Sequence, residues 1–401
     1  MDFENRRAAG IKSSPSMAIA MAAKKLAAEG HDIIDLSLGE PDFEPPAHVA
    51  EAAIAAIRKG GIRYGAPAGM DNLRQAIVQK FKRENGLDYA AGDVMVANGA
   101  KQILFDIFLA TLEPGDEVII PTPCWVSYGD IVSLNGGRPV YVPCGADTGF
   151  KISAEQLEAV MTPKTRWLML NSPSNPTGAI YSSEEYRQLA EVLVRHTRVL
   201  IVSDEIYEHV LLNDTPFVSF VQACPDLKER TLIVNGVSKA YAMTGWRLGY
   251  AAGPTALIST LNKIQSQSVS CVSAVAQAAA LAALTGDQTF VTESARRFAG
   301  RARIMVDRLS LIEDLDFIAP DGAFYAFIGV GRLFGRKTLN GGVIEDDTGF
   351  AAHLLHAFGL SSVPGAAFGA PGFIRLSIAA SERELEDACD RLAAMIQSLK
   401  N

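Results

Sequence analysis

The chain contains no CxxC pair, no uninterrupted apolar run of about 18 residues and no block of basic residues, and each absence removes a class of protein. Its five cysteines, Cys124, Cys144, Cys224, Cys271 and Cys389, are scattered and odd in number. They offer neither a disulfide framework nor a metal-binding spacing, so a reduced, cytoplasmic protein is expected. Residues 1–15 begin with acidic groups and hold no apolar segment of signal-peptide type, which disfavours secretion. The want of a long apolar run disfavours membrane spanning. With 45 acidic against 37 basic residues the formal net charge is −8, which argues against a nucleic-acid partner or an anionic membrane surface. No internal repeat divides the chain, and the tail after Leu399 carries no lipidation signal.

What is present is enough for a large core. The 401 residues, 48% of them hydrophobic, exceed the usual single domain, so two domains are expected. Residues 16–29 read as an Ala-rich amphipathic helix ended by Gly30, and 33–43 run from a short strand into a turn containing Gly39 and Pro41. Residues 47–59 and 70–84 read as helices. Strands are expected at 94–98, 117–121, 166–171 and 199–204, with a helix stopping near Pro114 and another at 183–195. Strands alternating with helices imply a mainly parallel sheet covered on both faces. Beyond 256 the texture turns helical: 256–285 is too long for one safe helix, and 292–314 reads as another. Short strands at 323–328 and 373–379 then flank a Gly-rich loop at 329–342 and a helix near 347–358.

Residues 235–250, NGVSKAYAMTGWRLGY, set a lone lysine among small residues with an arginine eight positions on. An aldehyde cofactor such as pyridoxal 5'-phosphate needs an amine held near neutrality, and its phosphate needs cation and hydroxyl donors. Lys239, Arg247 and Ser238 are of those types. The plain alternative is a pair of surface cations in a loop. Residues 200–207, LIVSDEIY, are a short apolar run ending in Asp204 and Tyr207, and ligands of open α/β sheets sit beyond the carboxyl ends of strands. A buried carboxylate there suits a protonated pyridine nitrogen, while Asp204 alone equally suits a helix cap. Asn98-Gly99-Ala100-Lys101 stands where a strand gives way to a helix, a place for a phosphate cradle or an ordinary turn. His353 and His356 have no further ligand nearby, so no metal is expected, and 329–335 lacks the context of a dinucleotide loop.

Together with SLGEPDF at 37–43, YGAPAGMDNLRQAI at 64–77, NSPSNPTGAIYS at 171–182 and FIRLSIAAS at 373–381, these motifs resemble, in type and order, those of the class I and II aminotransferases. These are fold-type I pyridoxal phosphate enzymes. The likeness spans nearly the whole chain and is nearest to the bacterial-type aspartate aminotransferases. It implies an α/β fold whose large domain, 47–290, holds a mainly parallel seven-stranded sheet between helices. A smaller α+β domain, 291–401, is joined by the N-terminal segment 1–46. It also implies a homodimer with shared active sites, in which Tyr64 reaches the cofactor phosphate of the opposite subunit.

Carried over residue by residue, the resemblance assigns Lys239 to the aldehyde, Asp204 to the ring nitrogen, and Tyr207 and Asn175 to the ring oxygen. Gly99, Ala100, Lys101, Ser238 and Arg247 belong to the phosphate end, and Trp125 stacks on the ring and faces the substrate. Arg375 clamps the substrate α-carboxylate with two parallel bonds, beside Asn175 and Gly39. Lys101 meets the distal carboxylate of a dicarboxylic substrate. Ser14 and Ser16 lie on a segment that closes over the substrate, although KSSPSMA departs from the usual order and either serine also suits a helix cap. Cys124 stands where most relatives carry an aromatic residue, which either widens the pocket mouth or alters packing. Gly236 replaces the phosphate-binding serine of animal-type relatives, leaving more to Ser238 and the loop amides.

The implied activity is amino transfer from L-aspartate to 2-oxoglutarate in two half-reactions, with Lys239 moving the α-proton. An aromatic, prephenate or other amino-acid aminotransferase is the runner-up. A carbon–sulfur lyase, releasing pyruvate and thiol without an acceptor, is a more distant alternative. A non-enzymatic regulator would need an added nucleic-acid-binding unit, for which the chain has neither length nor a basic segment.

Overall fold

A computed structural model describes residues 4–11 and 15–400. The first strand, β1 (Ile34–Asp35), stands apart from the seven that follow: β2 (Val94–Ala97), β3 (Glu117–Thr122), β4 (Arg138–Pro143), β5 (Thr165–Asn171), β6 (Leu200–Asp204), β7 (Thr231–Gly236) and β8 (Gly249–Ala252). They form one sheet in the order β2-β8-β7-β6-β5-β3-β4. β8 runs antiparallel to β2 and β7, and the other neighbours are parallel. The sheet is therefore mixed but mainly parallel, with the seven strands expected.

Successive residues of one strand feed opposite faces, because side chains alternate along a strand. Val94 and Val96 pack with helices Ala47–Lys59, Asp71–Asn85 and Ala274–Thr285, whereas Met95 and Ala97 pack with Ala100–Thr111 and Thr255–Ser268. Burial on both faces explains why runs such as VMVA lack a polar alternation. The apolar stretch 256–285 is two helices: Ser270 adopts φ 65°, and Ser273 caps the second by accepting from Ala276 N. The helix expected at 292–314 spans Thr289–Leu309.

The C-terminal part builds a second sheet from β9 (Asp316–Phe317) and β10 (Tyr325–Gly329). After β11 (Leu360–Ser361), it is completed by β12 (Val363–Pro364) and β13 (Phe373–Ser377). Its order is β12-β13-β10-β9, all antiparallel, and β1 pairs in parallel with β11. Ile34 and Leu36 share a core with Phe298, Ile328, Leu354, Leu376 and Leu392, so the N-terminal strand is built into this unit. Among the described residues no helix is long and apolar enough to cross a membrane.

Candidate active site

The carboxyl ends of β5, β6 and β7, the amino end of helix Ala100–Thr111 and the inner strand β13 meet around a cavity of about 510 Å³. In-register pairing puts Asn171 beside Asp204 at the strand ends, and the chain leaving β7 brings in Ser238 and Lys239. Lys239 Nζ donates to Gly39 O at 2.5 Å. Burial pushes its pKa down to about 8; Glu40 opposes this, and the Arg375 and Arg247 charges add to it. The site thus contains an amine far more readily deprotonated near physiological pH than an ordinary lysine.

Asp204 is 5% exposed and caps no helix; a turn follows it. Its Oδ2 accepts from the Tyr128 hydroxyl at 2.7 Å, and Ile206 N reaches Oδ1 at 3.4 Å. Burial pushes its carboxyl up to about 6 against the pull of the Tyr128 bond. Tyr128 was missed by sequence reasoning, and its only signal is its place three residues after Trp125. The two rings meet edge to face, with centroids 5.4 Å apart.

Arg375 is 3% exposed, because β13 is flanked by β12 and β10 rather than lying at an edge. Nη1 donates to Asn175 Oδ1 at 2.9 Å and Nη2 to Ser37 O at 2.6 Å. Nε has no acceptor among the described residues, and no carboxylate there pairs with the guanidinium. Burial pulls its pKa below the usual value. A buried cation with an unspent donor is costly unless an anion joins it. Its plane lies over the Tyr325 ring, 4.4 Å from the centroid. Asn175 itself is held by Asn171 Oδ1, which accepts from Asn175 N at 2.9 Å. The Ser172–Pro173 and Asn175–Pro176 bonds around it are cis.

At the other end, Gly99 takes φ 86° and leaves no room for a side chain: a Cβ there would stand 2.4 Å from Arg247 Nη2. Arg247, anchored by Nη1 donation to Thr244 O at 2.7 Å, is thereby laid against the start of helix Ala100–Thr111. The first amides of a helix have no intrahelical acceptor, so cation and amides together form an anion site. Lys101 Nζ sits 4.7 Å over the Trp125 ring, with its pKa lowered by burial and by Arg247. Ser238 is buried and lines the cavity, as Ser16 does from helix Pro15–Ala28.

Some expected residues are not brought together. Tyr64 is 92% exposed and outside the cavity of its own chain. Ser14 lies outside the described residues. Cys124 does not line this cavity but a small separate space with Phe150, Met169 and Tyr181, and its N–H donates to Phe368 O at 3.0 Å. Its side chain therefore packs away from the cavity, and burial pushes its thiol up to about 12. Gly39 does not have a left-handed backbone; a Cβ there would meet the Tyr325 hydroxyl at 2.4 Å. Tyr325 and Ser37 are two more cavity residues without a sequence signal.

Residues 31–392 match the model of the family described as aminotransferase class I and II. The chain is similar to an aspartate aminotransferase of Rhizobium meliloti (strain 1021), at 49% identity covering 98% of this chain and 96% of that one. It is similar to an aspartate/prephenate aminotransferase of Nitrosomonas europaea, at 46% identity covering 98% and 99%. Among solved structures, the aspartate aminotransferase from Rhizobium meliloti superimposes with a TM-score of 0.97 at 48% identity, covering 100% of both chains. A near-neutral buried lysine, a buried carboxylate and an unspent arginine in one cavity agree with that match along the whole length, and the chain belongs to the class I and II aminotransferases.

Proposed function

We propose that this aminotransferase uses pyridoxal 5'-phosphate and moves the amino group of L-aspartate to 2-oxoglutarate in two half-reactions. The observation that carries this reading is one cavity in which Lys239 stands among Asp204, Arg375 and Lys101. The residues fit the cofactor: Asp204 is a buried carboxyl, and the slot at Gly99 brings Arg247 to a helix start. Bound there, pyridoxal phosphate supplies an aldehyde that takes up amines and a ring that draws electrons from the adjoining carbon.

Each group then has a defined task. Asp204 pairs with the ring nitrogen, and Tyr128 orients that carboxylate. Asn175 commits its carbonyl to Arg375, so its NH2 is the end left for the ring oxygen, beside the Tyr207 hydroxyl. Arg247, Ser238 and the Ala100 and Lys101 amides hold the phosphate, and Trp125 covers the ring; the Gly99 N–H is spent on Ala97 O at 2.7 Å, so Gly99 contributes the slot for Arg247 and not a donor. Arg375 grips the α-carboxylate through the second N–H that Nη1 and Nη2 each retain beside their bonds to Asn175 and Ser37. Lys239 Nζ takes the substrate Cα proton and later returns it, because an amine titrating near 8 serves as base and then as acid. Gly39 and Ser16 border the substrate, and Lys101 meets its distal carboxylate. Prephenate, an oxo acid with a second carboxylate, makes the same demand on Lys101, and the Nitrosomonas europaea relative's name favours it as an alternative acceptor.

A homodimer accompanies this reading. Tyr64 lies in a segment without helix or strand, near exposed Ile57 and Ile62, and in the dimer it reaches the phosphate end of the second copy. Sedimentation of the loaded enzyme is expected to show twice the chain mass, and Tyr64→Phe to weaken cofactor binding several-fold, roughly one lost hydrogen bond. A single-chain mass would overturn it. The division into 47–290 and 291–401, with 1–46 joining the latter, is supported by β1 pairing with β11. Free thiols support a reducing, cytoplasmic setting.

The deciding experiment is the absorbance spectrum of cofactor-loaded protein before and after adding L-aspartate without an oxo acid. Conversion of the loaded band to that of the aminated cofactor, with oxaloacetate released, is expected. An unchanged spectrum at confirmed cofactor occupancy rejects aspartate as donor.

A further inference from the structure

Two phenols from different sheets meet inside the cavity. Tyr207 follows β6 by three residues, Tyr325 opens β10, and their hydroxyls are 2.8 Å apart with both rings buried. On the second sheet Tyr325 pairs with Ser377, and Phe327 pairs with Arg375, so Tyr325 and Arg375 are diagonal neighbours on one face. The guanidinium lies over the Tyr325 ring accordingly.

We propose that Tyr325 is a positioning residue that relays the occupancy of Arg375 by a carboxylate to the Tyr207 hydroxyl. The inference rests on the pyridoxal reading above. Each phenol carries one proton, so the bond between them has two directions. When Tyr207 donates to Tyr325, its proton is unavailable to the cofactor. When Tyr325 donates to Tyr207, the Tyr207 proton is free for the ring oxygen. A positive charge against the Tyr325 ring makes its hydroxyl the better donor and favours the second direction. A carboxylate bound at Arg375 offsets that charge and weakens the preference.

Two further contacts confine the relay. A Cβ at position 39 would meet the Tyr325 oxygen at 2.4 Å, so the glycine provides the slot for this hydroxyl. The Gly39 carbonyl on the same residue accepts from Lys239 Nζ at 2.5 Å. The charged groups acting on the two phenols are Arg375, Asp204 and Glu40, with the Lys239 amine over the Tyr207 ring. Arg375 is the one that substrate itself neutralises.

The test is a pH titration of the visible band of pyridoxal phosphate-loaded enzyme, with and without succinate, a dicarboxylate that has no amine to react. In the wild type, saturating succinate is expected to move the midpoint by roughly one pH unit, the size of a nearby charge being offset. Tyr325→Phe is expected to lose at least half of that movement while succinate affinity stays within about 3-fold, and kcat falls roughly 10-fold with KM little changed. In a Tyr207→Phe background, adding Tyr325→Phe is expected to change nothing more, since the relay ends at that hydroxyl. A full succinate response in Tyr325→Phe, or additive effects in the double variant, overturns the relay and leaves the pyridoxal reading standing. Failure of wild-type protein to form any visible band rejects the pyridoxal reading, and the relay falls with it.

Discussion

Lys239→Ala is expected to cut amino transfer by at least ~10⁴-fold, because it removes both the amine that receives the cofactor and the base for the Cα proton. Neither Arg375 nor Lys101 can substitute, since one is committed to Asn175 and Ser37 and the other stands over Trp125. Single-turnover absorbance with L-aspartate measures the loss, and a variant retaining a tenth of wild-type turnover would remove Lys239 from the mechanism. A pH dependence follows from the same amine. Only neutral Nζ attacks an aldehyde, and burial lowers its pKa to about 8, so capture of pyridoxal phosphate by the apoprotein rises with pH and levels off above about 8. An unperturbed lysine would be less than about 1% neutral at that pH, and its rate would still be climbing. The saturating phase is expected to vanish in Lys239→Ala, which lacks the amine that receives the aldehyde.

What the sequence disclosed of this site is the part written in short local motifs. Lys239, Asp204, Asn175 and Arg375 each sit in a run whose residue types fit one chemical task, and the cavity contains all four. Tyr128, Tyr325 and Ser37 were illegible, because a phenol or serine in an apolar stretch reads as packing until its partner is known. Those partners lie 76, 118 and 338 positions away along the chain. Strand order was hidden for a related reason: nothing in FIRLSI distinguishes an edge strand from the inner strand that buries Arg375. β8 escaped notice because GYAA has neither length nor β-branched residues, and β7 because TLIVNG runs straight into the lysine loop. The break at 269–273 depends on one left-handed serine and one cap, which the apolar pattern on either side conceals. Tyr64 is a different case: it is exposed on its own chain, and in the dimer proposed above it would act in a second copy, with no reason to face its own cavity.

Lys80→Met is expected to destabilise the apoprotein by about 3–5 kcal/mol, the range for stripping one partner from a buried ion pair. Lys80 is 0% exposed; its ammonium is bonded to Glu208 Oε1 and lies 2.9 Å from Asn85 Oδ1 and 3.5 Å from Glu84. Asn235 Nδ2 adds a bond to Glu208 at 2.8 Å. Burial opposes the charged form of Glu208, but Lys80 and His209 outweigh it and hold the carboxyl below its ordinary range. A carboxyl whose folded pKa is depressed contributes stability above its unfolded pKa and loses it as the pH falls. The gap between wild type and Lys80→Met is therefore expected to narrow in acid, where urea midpoints provide the measurement. Glu208→Leu added to Lys80→Met is expected to recover much of the loss, because no uncompensated charge then remains. A single variant within ~1 kcal/mol of wild type at neutral pH would contradict the cost assigned to the buried charge. Glu84, Glu208 and His209 lie close enough to share a cation, and Lys80 supplies it from within the fold. The network also touches chemistry, since Glu208 follows Tyr207 directly and Asn235 precedes Lys239 by four residues. If the double variant regains stability but still binds pyridoxal phosphate weakly, the pair's task is to hold those two segments in register with the cavity. If both properties return together, holding the chain together is the whole of its role.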